Sequence, residues 1–349
     1  MAIQVKRERN QSMEAAKLIA SVFVVFIHVS IPGEAGSIIN CLARFAVPMF
    51  FALSGYFNYG ADSNQVWKRT VHIVKVYLIA VTARIVWGCF ETEYDYGSTV
   101  VFLMSLLPQW EGIMRWIILQ IDPFAGHLWY LNAMIWVYIL YWMYVRFFGE
   151  KKVVYAPLYF AGFSLFAVFF TIGILMMILD GTVSYFLCRN AWLTGLPMFI
   201  MGVFLHEYQD EILAHFGLNG RRLMGIIAVC IMLSLLQHHT IGGGDMLFGT
   251  VPEVIALILL MVSHPKLAEK SKLAKEVIAR CGAWSMWIYI LHLLADSAYL
   301  LLCQPWISAR WIEMEEWIHP FVVLGIAFAA AVVCERITYY GKQIRWRHA

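Results

Sequence analysis

Charged residues are scarce in this chain, and their scarcity decides its class. Only 14% of the 349 residues are Asp, Glu, Lys or Arg, whereas 61% are hydrophobic, and the mean hydropathy is +0.68. A soluble domain carries about 25% charged residues. The long uncharged runs therefore exclude a soluble globular fold and predict an all-α, polytopic membrane protein.

Paired cysteines and convincing metal-binding patterns are also missing. The seven cysteines stand singly, mostly inside apolar runs, with no C-x-x-C pair, so the sequence predicts neither a disulfide framework nor a metal site. His238 and His239 are adjacent but come without a third ligand, which is weak evidence for a metal. We expect no metal, no tightly bound cofactor and no nucleic-acid partner.

Hydrophobic runs divide the chain into about ten predicted membrane spans, since about 20 apolar residues cross a hydrocarbon core of about 30 Å. By apolar length the spans are residues 13–32, 37–58, 70–90, 127–148, 153–178, 186–206, 222–237, 246–263, 283–303 and 317–339. The seventh is short for a span. We expect the spans to form a single domain over residues 1–349, in contact with membrane lipids.

Lys and Arg are distributed unequally between the predicted loops. If the N-terminus is cytoplasmic, eighteen of them fall in inner loops and three, Arg115, Arg189 and Arg310, in outer loops. Such an excess of positive charge marks the cytoplasmic side of a membrane protein. The sequence therefore predicts that both termini lie in the cytoplasm.

The first span carries ionisable residues inside an apolar run. Lys17 and His28 are eleven residues apart, which brings them to within about 20° of one helix face, separated by about 16 Å. Ala20, Ser21 and Val24 lie between them and are small, so we expect room for a molecule along that face. Ionisable groups at membrane depth mark a site by default; for a lone His, an interhelical hydrogen bond is the alternative.

A longer pattern of residues extends over both of the first two spans. Glu14 precedes Lys17 and His28, and RFAVPMFFALSGYF follows, with Arg44, Pro48, Phe50, Phe51, Ser54, Gly55 and Tyr56. HLWYL at His127 and SMWIYILH ending at His292 come later. These motifs, in this order over nearly the whole chain, resemble the acyltransferase-3 family of integral-membrane acyltransferases. That family has Asp and Arg where this chain has Glu14 and Lys17, and Lys loses the bidentate fork of Arg.

The resemblance implies transfer of an acyl group, acetyl by preference, from cytoplasmic acyl-CoA to a hydroxyl. The acceptor would be an envelope glycan, a lipid-linked sugar or a small molecule, and the membrane a bacterial inner (plasma) membrane. His28 would be the general base. Arg44 would steady the thioester oxygen or a phosphate, and Lys17 with Glu14 would hold the donor. Direct transfer and a transient acyl-enzyme both stay open.

Four basic residues open the third span. Lys68, Arg69, His72 and Lys75 lie within about 11 Å of helix rise. They are either snorkelling cations that anchor a helix end or an anion site for the phosphates of coenzyme A. The family has a second Arg where this chain has His72, which puts the role of that position in doubt.

The segment 91–126 is the longest predicted outer connection. A loop of this length either covers a site or lies along the membrane surface. After it, the resemblance implies that His127, Trp129 and Tyr130 bind the acceptor, together with Ser54 and Tyr56 of the earlier motif. Aromatic residues at a span end are also ordinary interfacial residues.

A transporter or membrane-embedded binding module, for a small molecule such as an amino acid, is the alternative from another class. Titratable residues inside a helix bundle also serve proton-coupled transport. No inverted internal repeat in the sequence favours this alternative.

Overall fold

We describe the fold from a computed structural model, which covers residues 10–107, 110–149, 154–180, 189–242, 244–245, 247–268 and 271–347. The α-helices in this part are α1 (Gln11–His28), α2 (Gly33–Leu42), α3 (Ala46–Tyr56), α4 (Ser63–Tyr96), α5 (Thr99–Ser105), α6 (Trp110–Ile118), α7 (Trp129–Phe148), α8 (Tyr155–Asp180), α9 (Leu196–His215), α10 (Gly220–Thr240), α11 (Thr250–Ser263), α12 (Lys272–Leu302) and α13 (Ile312–Arg347). The predicted inner-loop cations Lys6, Arg7, Arg9, Lys151, Lys152 and Lys270 lie outside the described residues.

Eight candidate spans in the described part are long and apolar enough to cross a membrane: α1, α2 with α3, α4, α7, α8, α10, α12 and α13. The prediction of an all-helical, polytopic membrane protein is thereby confirmed. The other two predicted spans correspond to α9 and to the 14-residue α11. The count of ten and the cytoplasmic termini stay predictions.

Local capping sets several helix ends beyond the predicted apolar runs. The side chain of Asp62 accepts a hydrogen bond from the backbone N–H of Gln65 at 2.7 Å, and Gly97 ends α4 with φ 64°. A side-chain acceptor at the first position and a left-handed Gly at the last are the usual helix caps. As a result α4 has 34 residues, about 51 Å.

The second predicted span is broken by a 3-10 turn, Ala43–Phe45, between α2 and α3. Pro48 follows in the first turn of α3. Proline has no N–H to donate to the carbonyl four residues earlier, so an α-helix is interrupted before it. Arg44 lies on this turn instead of in the middle of a regular helix.

The residues divide into two compact units that are interleaved in sequence. The first takes in the residues up to Ala46, Gln209–Ile231 and the residues from Pro252 on; the second takes in Val47–Tyr208 and Met232–Val251. The prediction of a single domain stays a prediction.

In the first unit, α12 packs along both α1 and α13. Phe26 of α1 meets Phe321 of α13 edge to face, with ring centroids 5.6 Å apart. A hydrogen bond also fixes the start of α1, because the Asn10 side-chain amide donates to the carbonyl of Met261 at 2.8 Å. These contacts fix α1, which carries the predicted catalytic residues, against two long helices.

In the second unit, α3 and α9 approach so closely that their backbones touch. A Cβ added at Gly55 would overlap the carbonyl of Phe199, and one at Gly202 would overlap the carbonyl of Ala52. Small residues at such crossings allow membrane helices to pack tightly. The helix α3, which contains Ser54, Gly55 and Tyr56, is therefore held by direct backbone contact with α9.

Candidate active site

One end of α1 carries the predicted donor-holding pair. Lys17 Nζ lies 2.9 Å from Glu14 Oε1, and the Ser285 hydroxyl of α12 donates to the Lys17 carbonyl at 2.8 Å. Gly282, one turn earlier on α12, has no Cβ and leaves space for the Glu14 carboxylate. The motif that contains Ser285 was visible in the sequence, but its contact with α1 was not.

Gly282→Ala is expected to reduce the predicted acyl transfer by up to about 100-fold, the effect of misplacing a positioning group, and to leave the fold intact. The added Cβ would overlap Glu14 Oε2. Because the end of a flexible side chain can rotate away, the substitution should displace the Glu14 carboxylate from Lys17 and should change the packing of the helices little. Transfer rate and thermal unfolding would be measured against Gly225→Ala, whose Cβ meets nothing within 4 Å. Unchanged activity would show that this geometry does not matter.

The small residues between Lys17 and His28 do not leave open space. Ala20 and Ser21 are 0% exposed and Val24 is 1% exposed. Small residues suit close helix packing as well as they suit a ligand groove, and α12 packs along α1. The expected room for a molecule along this face is therefore wrong.

His28, at the other end of α1, contacts a second histidine. The rings of His28 and His292 of α12 have centroids 5.2 Å apart and are tilted by 40°. His28 is exposed, whereas His292 is 0% exposed. An accessible imidazole is thus backed by a buried one. The SMWIYILH motif contains His292, yet sequence reasoning gave that residue no role.

Backbone carbonyls fix the tautomer of neutral His292. Its Nδ1 lies 2.8 Å from the carbonyl oxygen of Tyr289 and 3.2 Å from that of Ile288. A carbonyl only accepts, so Nδ1 must carry the hydrogen. Nε2 is then the basic nitrogen of the ring. Such a hydrogen bond is the usual way in which a protein selects one imidazole nitrogen for chemistry.

Arg44 belongs to the same unit as His28. It hydrogen-bonds to the side chain of Asn40, and the 3-10 turn on which it lies packs against α1 through Phe45, whose ring is 5.5 Å from that of Phe23. The structure thus brings the Arg44 turn next to the helix with His28, while the role of Arg44 stays a prediction.

The second unit joins several of the predicted binding residues in one polar network. The hydroxyl of Ser54 contacts those of Tyr130 and Tyr138. Asn58, which is 0% exposed, donates to Tyr138 at 3.0 Å. The Arg69 guanidinium in turn donates to Asn58 Oδ1 at 2.7 Å. Residues predicted for the acceptor and for the donor are thus linked within this unit.

One of the four basic residues at the start of α4, Arg69, is part of this network. Its guanidinium also donates to the carbonyl of Phe57 at 2.7 Å. Lys68, His72 and Lys75 have exposed side chains. An Arg that bridges a loop and a helix stabilises the scaffold, whereas exposed cations can meet a phosphate. For the exposed Lys68, His72 and Lys75, snorkelling anchors and an anion site both stay predictions.

Asn58→Ala is expected to destabilise the protein by about 1–3 kcal/mol, because buried donors and acceptors on Arg69 and Tyr138 would lose their partner. The amide of Asn58 makes three hydrogen bonds, to Ser54, Tyr138 and Arg69. Thermal unfolding in detergent would measure the effect. Asn64→Ala, at an exposed position of α4, is the matched control; equal unfolding temperatures for the two variants would refute the structural role.

Tyr56 contacts a histidine that sequence reasoning missed. His206 Nδ1 lies 2.8 Å from the Tyr56 carbonyl oxygen, and its ring stacks on that of Tyr59 at 4.9 Å. The sequence placed His206 at the end of a predicted span, where nothing distinguished it from other interfacial residues. Its contacts indicate that it holds the end of α3.

The acceptor candidates at the start of α7 pack on the earlier motif. The Phe51 ring lies 4.8 Å from that of Tyr130 and 6.3 Å from that of Trp129. His127 is 4% exposed and lies in the 3-10 turn Gly126–Leu128. Two motifs that are far apart in sequence are therefore neighbours in this unit.

The connection between α4 and α7 runs back along α4. A Cβ at Gly88 would overlap the Phe102 ring of α5, and beyond α6 the Tyr77 hydroxyl donates to Asp122 at 2.6 Å. Tyr77 is the fifteenth residue of α4, about 21 Å from its start. Backbone N–H groups of Phe124 and Ala125 also bond Asp122. The segment that leads to His127 is thus fixed against the middle of α4.

Among the described residues, no group of three or more His, Cys, Asp or Glu side chains could hold a metal ion. The fold is that of a polytopic membrane protein, in which His28 and His292 are in contact. Residues 10–336, nearly the whole chain, match the family model described as an acyltransferase domain, and the chain therefore belongs to the acyltransferase-3 family of membrane acyltransferases. No curated protein and no solved structure matches the chain significantly.

Proposed function

We propose that the chain moves an acyl group, acetyl by preference, from acyl-CoA to a hydroxyl, with His28 as general base. The observation that carries this proposal is the contact of exposed His28 with buried His292, 5.2 Å between ring centroids. A neutral imidazole suits the removal of a hydroxyl proton near neutral pH. The family supports acyl transfer in general; donor, acceptor and base are our assignments.

In the proposed reaction, His28 takes the proton of the acceptor hydroxyl as the oxygen attacks the thioester carbonyl. His292, with its hydrogen fixed on Nδ1, presents Nε2 as the basic nitrogen and helps to orient His28. Arg44 is assigned to the developing negative charge on the thioester oxygen. Glu14 and Lys17 are assigned to holding the donor.

For the phosphates of coenzyme A, we assign Lys68, His72 and Lys75, whose side chains are exposed, with Arg69 as the residue that supports them. The positive charge of the predicted inner loops agrees with a cytoplasmic donor. For the acceptor, we assign His127, Trp129 and Tyr130 with Ser54 and Tyr56. Aromatic rings and hydroxyls in contact suit a sugar or another hydroxyl compound.

We assign the acceptor class from the proposed location. A multi-pass protein of a bacterial inner membrane meets lipid-linked sugars, nascent envelope glycans and small molecules that reach the bilayer. Radiolabelled acetyl-CoA supplied to membranes with and without this protein, followed by fractionation of glycans and lipids, tests the proposal. We expect one class of product to become labelled only with the protein. Equal labelling in both preparations would contradict it.

A further inference from the structure

A second cluster of titratable side chains joins α12 to α13. Asp296 Oδ1 lies 2.9 Å from His319 Nε2, and the Tyr299 ring stacks on the His319 ring with centroids 4.6 Å apart. Tyr299 is also hydrogen-bonded to Glu315. We call Asp296, Tyr299, Glu315 and His319 the outer cluster, because the charge distribution predicts this helix end to be the outer one.

The outer cluster begins one helical turn from the proposed active site. Asp296 follows His292 by four residues on α12, a spacing that brings side chains to about 5–6 Å of each other. His292 in turn contacts His28. Titratable groups therefore follow one another from His28 to Glu315 without a gap longer than one turn.

The members of this series differ in exposure. His292 is 0% exposed, whereas the side chains of Asp296 and His319 are 21% and 18% exposed. Asp296 is six residues before the end of α12, about 9 Å of helix rise. His28 is exposed at the start of the series, whereas Tyr299 and Glu315 are buried, so the outer cluster reaches the surface of the protein at Asp296 and His319.

We propose that the outer cluster exchanges protons between the His28–His292 pair and water at the Leu302 end of α12. The inference rests on the proposed function, since His28 is the base that must lose a proton after each turnover. The alternative is that the ion pair only holds the two membrane helices together. Apolar side chains would clamp the helices at lower cost, and ionisable residues inside a membrane protein are functional by default.

The proton balance of the reaction allows this path. Transfer breaks the thioester C–S bond and forms an ester C–O bond; the hydroxyl loses one proton and the thiolate gains one. If the thiolate takes its proton from water on the donor side, the proton on His28 must leave by another route, and in this proposal the route runs through His292 although His28 itself is exposed. The outer cluster offers that exit, and no oxidant or reductant is needed.

Further titratable groups of the same two helices lie close to the series. In the described residues they are Tyr289 and Cys303 of α12, beside His292 and Tyr299 respectively, with Glu313 and Glu316 of α13 at exposed positions. Glu313 and Glu316 provide controls, because they carry the same charge as Glu315 without its burial.

The kinetic test compares Asp296→Asn with Glu313→Gln. Asn keeps the size of Asp296 and a hydrogen bond to His319, but it does not titrate. We expect Asp296→Asn to slow transfer about tenfold, to change the pH profile of the rate, and to recover speed when a small weak acid such as acetate is added as a proton carrier. Glu313→Gln should behave as wild type. A slower rate with an unchanged pH profile and no rescue would mean a structural clamp and would overturn the proposal.

A second measurement does not depend on transfer activity. Infrared titration of the purified protein follows the protonated carboxyl band that Asp296→Asn removes. We expect the midpoint of that band to shift when His28 is replaced by Ala, because the two groups share protons. An unshifted midpoint overturns the proposal even if the enzyme is active. A shifted midpoint with no acyl transfer would instead count against the proposed function alone.

Discussion

Replacing His28 by Ala is expected to lower the rate of acyl transfer by at least about 100-fold, the lower limit for loss of a general base. The fold should be unaffected, because the His28 side chain is exposed, whereas Ala20, Ser21 and Val24 of α1 are buried. Transfer of label from acetyl-CoA, normalised to folded protein, measures the loss.

His215→Ala is the matched control for this loss. His215 is an exposed histidine in the last turn of α9, so its removal changes the same functional group without touching the proposed site. We expect full activity from it. A folded His28→Ala variant with wild-type activity would remove the catalytic assignment, whatever the control does.

Gly202→Ala is expected to prevent folding, or to reduce stability by more than the about 1–3 kcal/mol that is typical of overpacking. The added Cβ would overlap the carbonyl carbon and oxygen of Ala52 and the backbone N of Tyr56. These are backbone atoms, which cannot rotate away as a side chain can. The yield of monodisperse protein and its unfolding temperature in detergent measure the effect.

Gly173→Ala serves as the control within the same unit. Gly173 lies in α8, and a Cβ there meets nothing within 4 Å. Ala is favoured over Gly in a helix by about 0.8–1.0 kcal/mol, so this variant should be as stable as wild type or slightly more stable. If Gly202→Ala were as stable as Gly173→Ala, the backbone contact between α3 and α9 described above would be refuted.

The sequence predicted the helices well because apolar length is a local property. The short seventh span, residues 222–237, became α10, Gly220–Thr240, since the side chain of Asn219 accepts from the Arg222 N–H and starts the helix earlier. At its other end α10 continues to Thr240, three residues beyond the predicted span, so His238 and His239 lie in its last turn. Helix ends depend on such single hydrogen bonds, which hydropathy does not register.

The site was less predictable, because its partners come from distant parts of the chain. The spacing of Lys17 and His28 gave one helix with two candidate groups, but nothing in that spacing indicated His292, Ser285 or Gly282. The small residues Ala20 and Ser21 were assigned to a groove, whereas they are buried. A sequence does not distinguish a small residue beside a ligand from one beside another helix.

The most direct test of the account measures two quantities in one experiment: coenzyme A thiol released and acyl product formed by the purified protein in vesicles that contain the acceptor. We predict that they rise together in equal amounts and that both stop in His28→Ala. Movement of the acceptor across the vesicle membrane without release of thiol would contradict the account and would favour a transporter.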